Sequence, residues 1–177
     1  MSVIVCPGVH SPQVTESFLQ TSEAPNHWLV FPACEYPAYS AVDVFNFLVK
    51  NEPHPARASS LLFICFSAGV VGGIGAAIAW QMNRGKIKAF IAIDGWGVPL
   101  IGNFPIYRFS HDYFTHWSSA LLGAGKDSFY ADPGVEHLDM WRSPNKIMGW
   151  LQLRSRTKKY CSSIEAFNQL LTMYGEL

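Results

Sequence analysis

Along this chain, short runs of consecutive apolar residues alternate with stretches in which apolar positions recur every three or four residues. That is the pattern of buried strands separated by amphipathic helices. Ser2 to Cys6 is an apolar strand broken at Pro7-Gly8, and Ser11-Pro12 opens a short helix through Val14, Phe18 and Leu19. His27 to Phe31 reads as a second strand ended by Pro32, and Val42, Phe45, Leu48 and Val49 mark a helix after the Glu35–Ser40 loop. The stretch Ser59 to Gln81 organises the rest: Leu61 to Phe66 is apolar without alternation, as in a central parallel strand buried on both faces. From Val70 the period changes, with Val70, Ile74, Ala77 and Ile78 on one helix face and Asn83-Arg84-Gly85 as the stop. Ser67 sits where strand becomes helix.

Further strands are expected over Lys88 to Asp94, Ile106 to Ser110 and Asp127 to Ala131, with Arg108 interrupting the apolar pattern as it would near a sheet edge. The loop from Gly95 to Pro105, with three glycines and two prolines, is long enough to be functional. Tyr113, Phe114 and Trp117 begin a helix, Asp132 to His137 is a loop, and Ser143 to Leu153 reads as a helix with Ile147, Trp150 and Leu151 on one face. Arg154 to Lys159 reads as a solvated basic linker, or else a small anion-binding patch. A last helix with Ile164, Phe167, Leu170 and Leu171 on one face packs against the body or a partner. The expectation is an α/β three-layer sandwich, a domain over residues 1–153 with the basic segment and final helix (154–177) packed on it. Its sheet has about six mostly parallel strands in the order 2-1-3-4-5-6. Ligands would then bind at the switch point between strands one and three, where Pro7 to Ser11 faces the Ser67 turn.

Composition adds boundaries. The 177 residues suffice for one sizeable core, and 49% hydrophobic residues exclude disorder. Thirteen basic and thirteen acidic side chains cancel, so no global field favours nucleic acid or an anionic membrane, and a neutral small molecule is the expected partner. Cys6, Cys34, Cys65 and Cys161 show no metal-ligand spacing and read as reduced thiols; no metal and no cofactor are expected. The first residues, MSVIVCPGVHS, carry no basic segment or long apolar region, which gives a cytoplasmic expectation.

Cys65-Phe66-Ser67-Ala68-Gly69 resembles Gly-x-Ser-x-Gly, the nucleophile elbow of the α/β-hydrolase family, with cysteine in place of the first glycine. The resemblance implies a serine acyl hydrolase for esters or thioesters, with the order serine, acid, histidine. It makes Ser67 the nucleophile and His137, in the loop after the last parallel strand, the base. It favours Asp112 after the fifth strand as the acid, with Asp94 after the fourth as the alternative. The oxyanion hole would use the Ala68 amide and, because Pro7-Gly8-Val9-His10 resembles the family's His-Gly-x loop, the Val9 amide. Trp96, Phe104, Tyr113 and Trp117 are candidates for an aromatic cleft wall, and His10 stands at its rim in a structural or substrate role. The family's usual N-terminal antiparallel strands and inserted lid are missing, so the implied form is minimal. Other readings of the same stretch are a silent binding protein on this fold, a dinucleotide loop from Ser67 to Gly72 with Asp94 toward a ribose, a membrane helix over Leu61 to Gln81, and a serine that merely caps a core helix.

Overall fold

The structure is a computed structural model that describes residues 2–58, 60–155 and 157–176. Ser59, at the head of the central stretch, and Arg156, within the basic segment, therefore lie outside the described residues. The sheet is built around β3 (Leu61–Phe66), every residue of which is buried. Leu62, Ile64 and Phe66 enter the core on one face, and Leu61, Phe63 and Cys65 enter the core on the other. A strand sandwiched this way has no use for polar alternation, which is why its sequence is one apolar run.

On one side of β3 lie β1 (Ser2–Cys6) and then β2 (Leu29–Val30). On the other lie β4 (Ile87–Ile93), β5 (Ile106–Ser110) and β6 (Ser128–Ala131), all parallel. The expected order 2-1-3-4-5-6 is thus present. One face is covered by α1 (Pro12–Thr21), α5 (Asp139–Arg142) and α6 (Ser163–Tyr174), through Val14, Phe18, Trp141, Phe167 and Leu171. The other is covered by α2 (Ala41–Asn51) and α3 (Ala68–Met82), through Val44, Leu48, Val70 and Ile74. The remaining helix, α4 (Tyr113–Ala120), lies against β5 and β6.

The sheet goes on where a helix and a linker were expected. β7 (Met148–Gln152) runs antiparallel to β6, and β8 (Lys158–Ser162) runs antiparallel to β7. Only the four residues of α5 and a 3₁₀ turn at Pro144–Lys146 precede them. The spacing of Ile147, Trp150 and Leu151 suits a helix, but Gly149 permits a closer pairing. A Cβ there would lie 2.1 Å from the Tyr130 carbonyl oxygen on β6. Lys158 and Lys159, expected in a linker, instead begin the edge strand. With two strands beyond β6, Arg108 lies well inside the sheet and is buried, not near an edge.

The expected membrane-helix run divides into β3 and the fifteen residues of α3, and among the described residues no helix is long and apolar enough to cross a membrane. The glycines of that run are contact points for α3. A Cβ on Gly69 would lie 2.2 Å from the Cys6 carbonyl oxygen, and one on Gly72 would lie 2.3 Å from that of Ala38.

Candidate active site

Strand register decides which loops meet. Cys6 of β1 is paired with Cys65 of β3, and Phe66 of β3 with Ile93 of β4. The chain therefore leaves these strands at Pro7, Ser67 and Asp94 side by side at the carboxyl edge. The Ser67 amide donates to the Ile93 carbonyl at 3.0 Å, and the Asp94 amide to the Phe109 carbonyl at 2.7 Å. Both turn residues sit at positive φ, Ser67 at 53° and Asp94 at 55°. Non-glycine residues tolerate that conformation only where neighbours enforce it.

For Ser67 the enforcement is visible. Gly69 brings α3 onto β1, and Gly8 lets the first loop approach until a Cβ there would be 2.8 Å from that of Ser67. The departure from the elbow pattern is also accommodated: a Cβ on Gly73 would lie 2.4 Å from the Cys65 sulfur. The glycine that the pattern wants on the strand is in effect supplied by the helix one turn later. Burial, with Cys6 as a neighbour, pushes the Cys65 thiol pKa well up, so it is a neutral packing group.

His137 lies in the loop after β6, and its Nε2 is 2.9 Å from the Ser67 hydroxyl. Its Nδ1 is bonded to the Asp94 carboxylate. A ring nitrogen facing a carboxylate carries the proton, which leaves Nε2 to accept from the serine. The ring is held from beneath by stacked aromatics. His137 rests on Phe66 with centroids 4.8 Å apart, Phe66 on Trp141 at 5.1 Å, and Trp141 on Phe18 at 3.6 Å. The Trp141 indole N–H donates to the Thr15 hydroxyl at 3.2 Å, fixing the stack to α1.

Asp94, the alternative acid, is therefore the one that meets His137, and Asp112 is not. The Asp112 carboxylate accepts the Thr115 amide at 2.7 Å as the N-cap of α4. Desolvation pushes that carboxyl up, but the Thr115 hydrogen bonds and His111 outweigh it and hold it below the usual range. Asp94 follows the last β4 residue directly, whereas His111 intervenes between β5 and Asp112. That single residue sends His111, not the acid, into the site. The His111 Nδ1 lies 2.7 Å from Asp94 Oδ2, and its amide donates to Asp94 Oδ1 at 3.2 Å. A carboxylate with a fully buried side chain needs such donors, and Asp94 has a backbone amide and two imidazoles. The carboxylate that a dinucleotide loop would turn toward a ribose is thus already committed. His111 is not marked in the sequence, since it lies between the end of an apolar strand and an acid that each fit the pattern without it. The Asp112-to-Thr115 spacing before a helical run, a capping signal, was the clue available.

Asp94, His111 and His137 each offer one ligand atom, all within 4.8 Å of one another, so they could hold a divalent metal. A metal on His137 Nδ1 would leave the proton on Nε2, where it faces Ser67 and cannot serve as a base.

Beside the serine opens a cleft of about 520 Å³ whose lining includes Val71, Trp96, Val98, His111, Phe114 and His137. Of the expected wall residues, Trp96 is there, with its indole donating to the Ser118 hydroxyl at 3.0 Å. Phe104 is buried in the core near Phe90, Tyr113 packs on Tyr130 away from the cleft, and Trp117 lies outside it against Phe114. His10 lines a separate 240 Å³ hollow that reaches Gly8 but not Ser67, and its ring lies near Phe66. The platform beneath the cleft depends on Arg108. Its buried guanidinium donates to the carbonyls of Val98, Leu122 and Gly123, tying the Gly95–Pro105 loop to the end of α4. Burial lowers its pKa to about 10.

No protein-family model matches the chain, and a search of curated proteins finds no match.

Proposed function

We propose that the protein is a serine-dependent acyl hydrolase of α/β-hydrolase type, acting on carboxylic esters or thioesters of small acyl compounds. The observation that carries this reading is the continuous hydrogen-bond chain from Asp94 through His137 to Ser67, mounted on a strained strand-to-helix turn. In this mechanism His137 Nε2 takes the Ser67 proton as Oγ attacks the acyl carbon. Asp94 holds the imidazole in the correct tautomer and stabilises the imidazolium. The oxyanion forms beside the first turn of α3, where the Ala68 amide has no partner within the helix. The Pro7–Val9 loop, pressed against Ser67 through Gly8, offers the Val9 amide as second donor. His137 then protonates the leaving alcohol or thiol, and water, deprotonated by His137, releases the acid from Ser67. Asp112 has no part in the proton path.

The test is labelling with a fluorophosphonate, read by intact mass. One adduct is expected on the wild type and none on Ser67→Ala. Asp94→Asn should slow labelling and ester turnover by about 10⁴-fold, as loss of a triad acid does elsewhere. Asp112→Asn keeps an N-cap of equal quality and should label at the wild-type rate. A folded wild type that takes no adduct would refute the reading and leave a binding protein on this fold.

A further inference from the structure

Helix α4 is inside out. Its buried positions are the polar Thr115 and Ser119, while Phe114, Trp117 and, just past its end, Leu121 are 57%, 45% and 77% exposed. Those three have the i, i+3, i+7 spacing of a single helix face, which in an ordinary surface helix would be turned to the core. The loop bonded to α4 extends the same surface with Trp96 and Ile101, at 61% and 73% exposure. From Gly95 to Gly125 only Arg108 and Asp112 carry formal charge. Arg108 is buried on carbonyls and Asp112 is a helix cap. The surface is therefore apolar, uncharged and edged with indole, and Trp96 and Phe114 carry it without interruption into the cleft that holds Ser67. Patches of this kind are uncommon on soluble monomers without a partner.

We infer that this rim docks on a zwitterionic or neutral lipid surface and draws acyl esters from it into the cleft. This inference rests on the hydrolase reading for its chemistry, but not for its binding. Three observations favour a lipid surface over a protein. The rim offers no charge for a polar partner to match. Its exposed indoles, Trp96 and Trp117, are side chains of the kind that favour a lipid–water boundary. And it runs into the cleft at Trp96 and Phe114, so that a second copy of the chain seated on it would cover the cleft, whereas a lipid layer would supply it.

The experiment is flotation of the full chain with vesicles of phosphatidylcholine alone. Wild type and Ser67→Ala should float equally, and raising salt from about 0.05 to about 0.5 M should not release them, since no charge is involved. The double variant Trp117→Ser, Leu121→Ser alters two exposed residues outside the cleft. It should lose vesicle affinity by about tenfold or more and hydrolysis of vesicle-borne esters with it. Its turnover of a soluble short-chain ester should be unchanged. Equal flotation of wild type and double variant would overturn the inference. So would a wild type that does not float, whether it is monomeric or forms a dimer that the double variant dissolves. Flotation without cleavage of any ester would keep the docking surface and remove the hydrolase reading.

Discussion

Cys65 and Gly73 show how a departure from a sequence pattern can be absorbed by a residue far along the chain. The sulfur stands where the elbow pattern has only a hydrogen, and the space it occupies is the space a side chain at Gly73 would need. Gly73→Ala alone should thus cost about 1–3 kcal/mol through overpacking, despite alanine's better helix propensity. Cys65→Ala alone should cost about 1–2 kcal/mol for the void. Together they should lose less than the sum by at least about 1 kcal/mol. Urea unfolding of the four proteins measures that coupling, and strict additivity would refute the compensation. Which carboxylate meets His137 is decided on the same scale. Asp94 and Asp112 each follow a strand, and in the sequence only the capping spacing from Asp112 to Thr115 separates them. The difference is one intervening residue, His111, which faces into the site and leaves Asp112 to begin a helix. That Ser67 and His137 meet was legible from two signals: the strand-to-helix turn that topology brings to the carboxyl edge, and the resemblance, which implied a histidine in the loop after the last parallel strand.

Among the helices, α4 stands out for the apolar residues it leaves exposed. Its aromatic residues look like a core face and are in fact outside. The helix is held instead by its cap, in which Asp112 accepts from the Thr115 amide, and by His116, whose ring lies 4.8 Å from that of Tyr130. Burial lowers the His116 pKa, and Lys158 and Arg108 lower it further against a hydrogen bond with Gln152 that raises it. A histidine depressed in the folded state contributes its full stability above the unfolded value, about 6.5. Below that pH the unfolded ring takes up a proton that the folded one resists, and stability falls as pH drops through the folded value. The melting temperature should therefore decline between about pH 7 and pH 5, and less steeply in His116→Leu, as calorimetry across that range would show. Identical slopes in the two proteins would mean that α4 is not held in this way. The strands were far more legible. β1 from Val3, β3 throughout and β4 from Ala89 are unbroken apolar runs because both their faces are covered, whereas β7 is five residues long with a glycine at its tightest contact, and its apolar spacing fits either period.

Across the whole molecule, the last twenty residues complete the core instead of decorating it. Phe167 lies 5.5 Å from Phe18 on α1 and 6.4 Å from Phe109 on β5, while Leu170 and Leu171 are buried beside them. Ser162 caps α6 with a reciprocal bond to Glu165, and Tyr174 closes it by a 2.7 Å hydroxyl contact with Tyr107. A chain ending at Leu153 would uncover this face and should fail to unfold cooperatively, giving a broad transition by circular dichroism and strong binding of an apolar dye. A sharp transition near the wild-type temperature would mean that β8 and α6 are an appendage. The sheet they complete ends in two unlike margins, β2 with only two residues and β8 with Lys158 and Lys159 exposed along it. A margin that short gives an incoming strand almost nothing to pair with, and one so charged repels its own copy. The consequence is colloidal. Concentrated solutions should therefore resist fibre growth at both ends of the sheet, leaving the faces as the surfaces through which two molecules would meet.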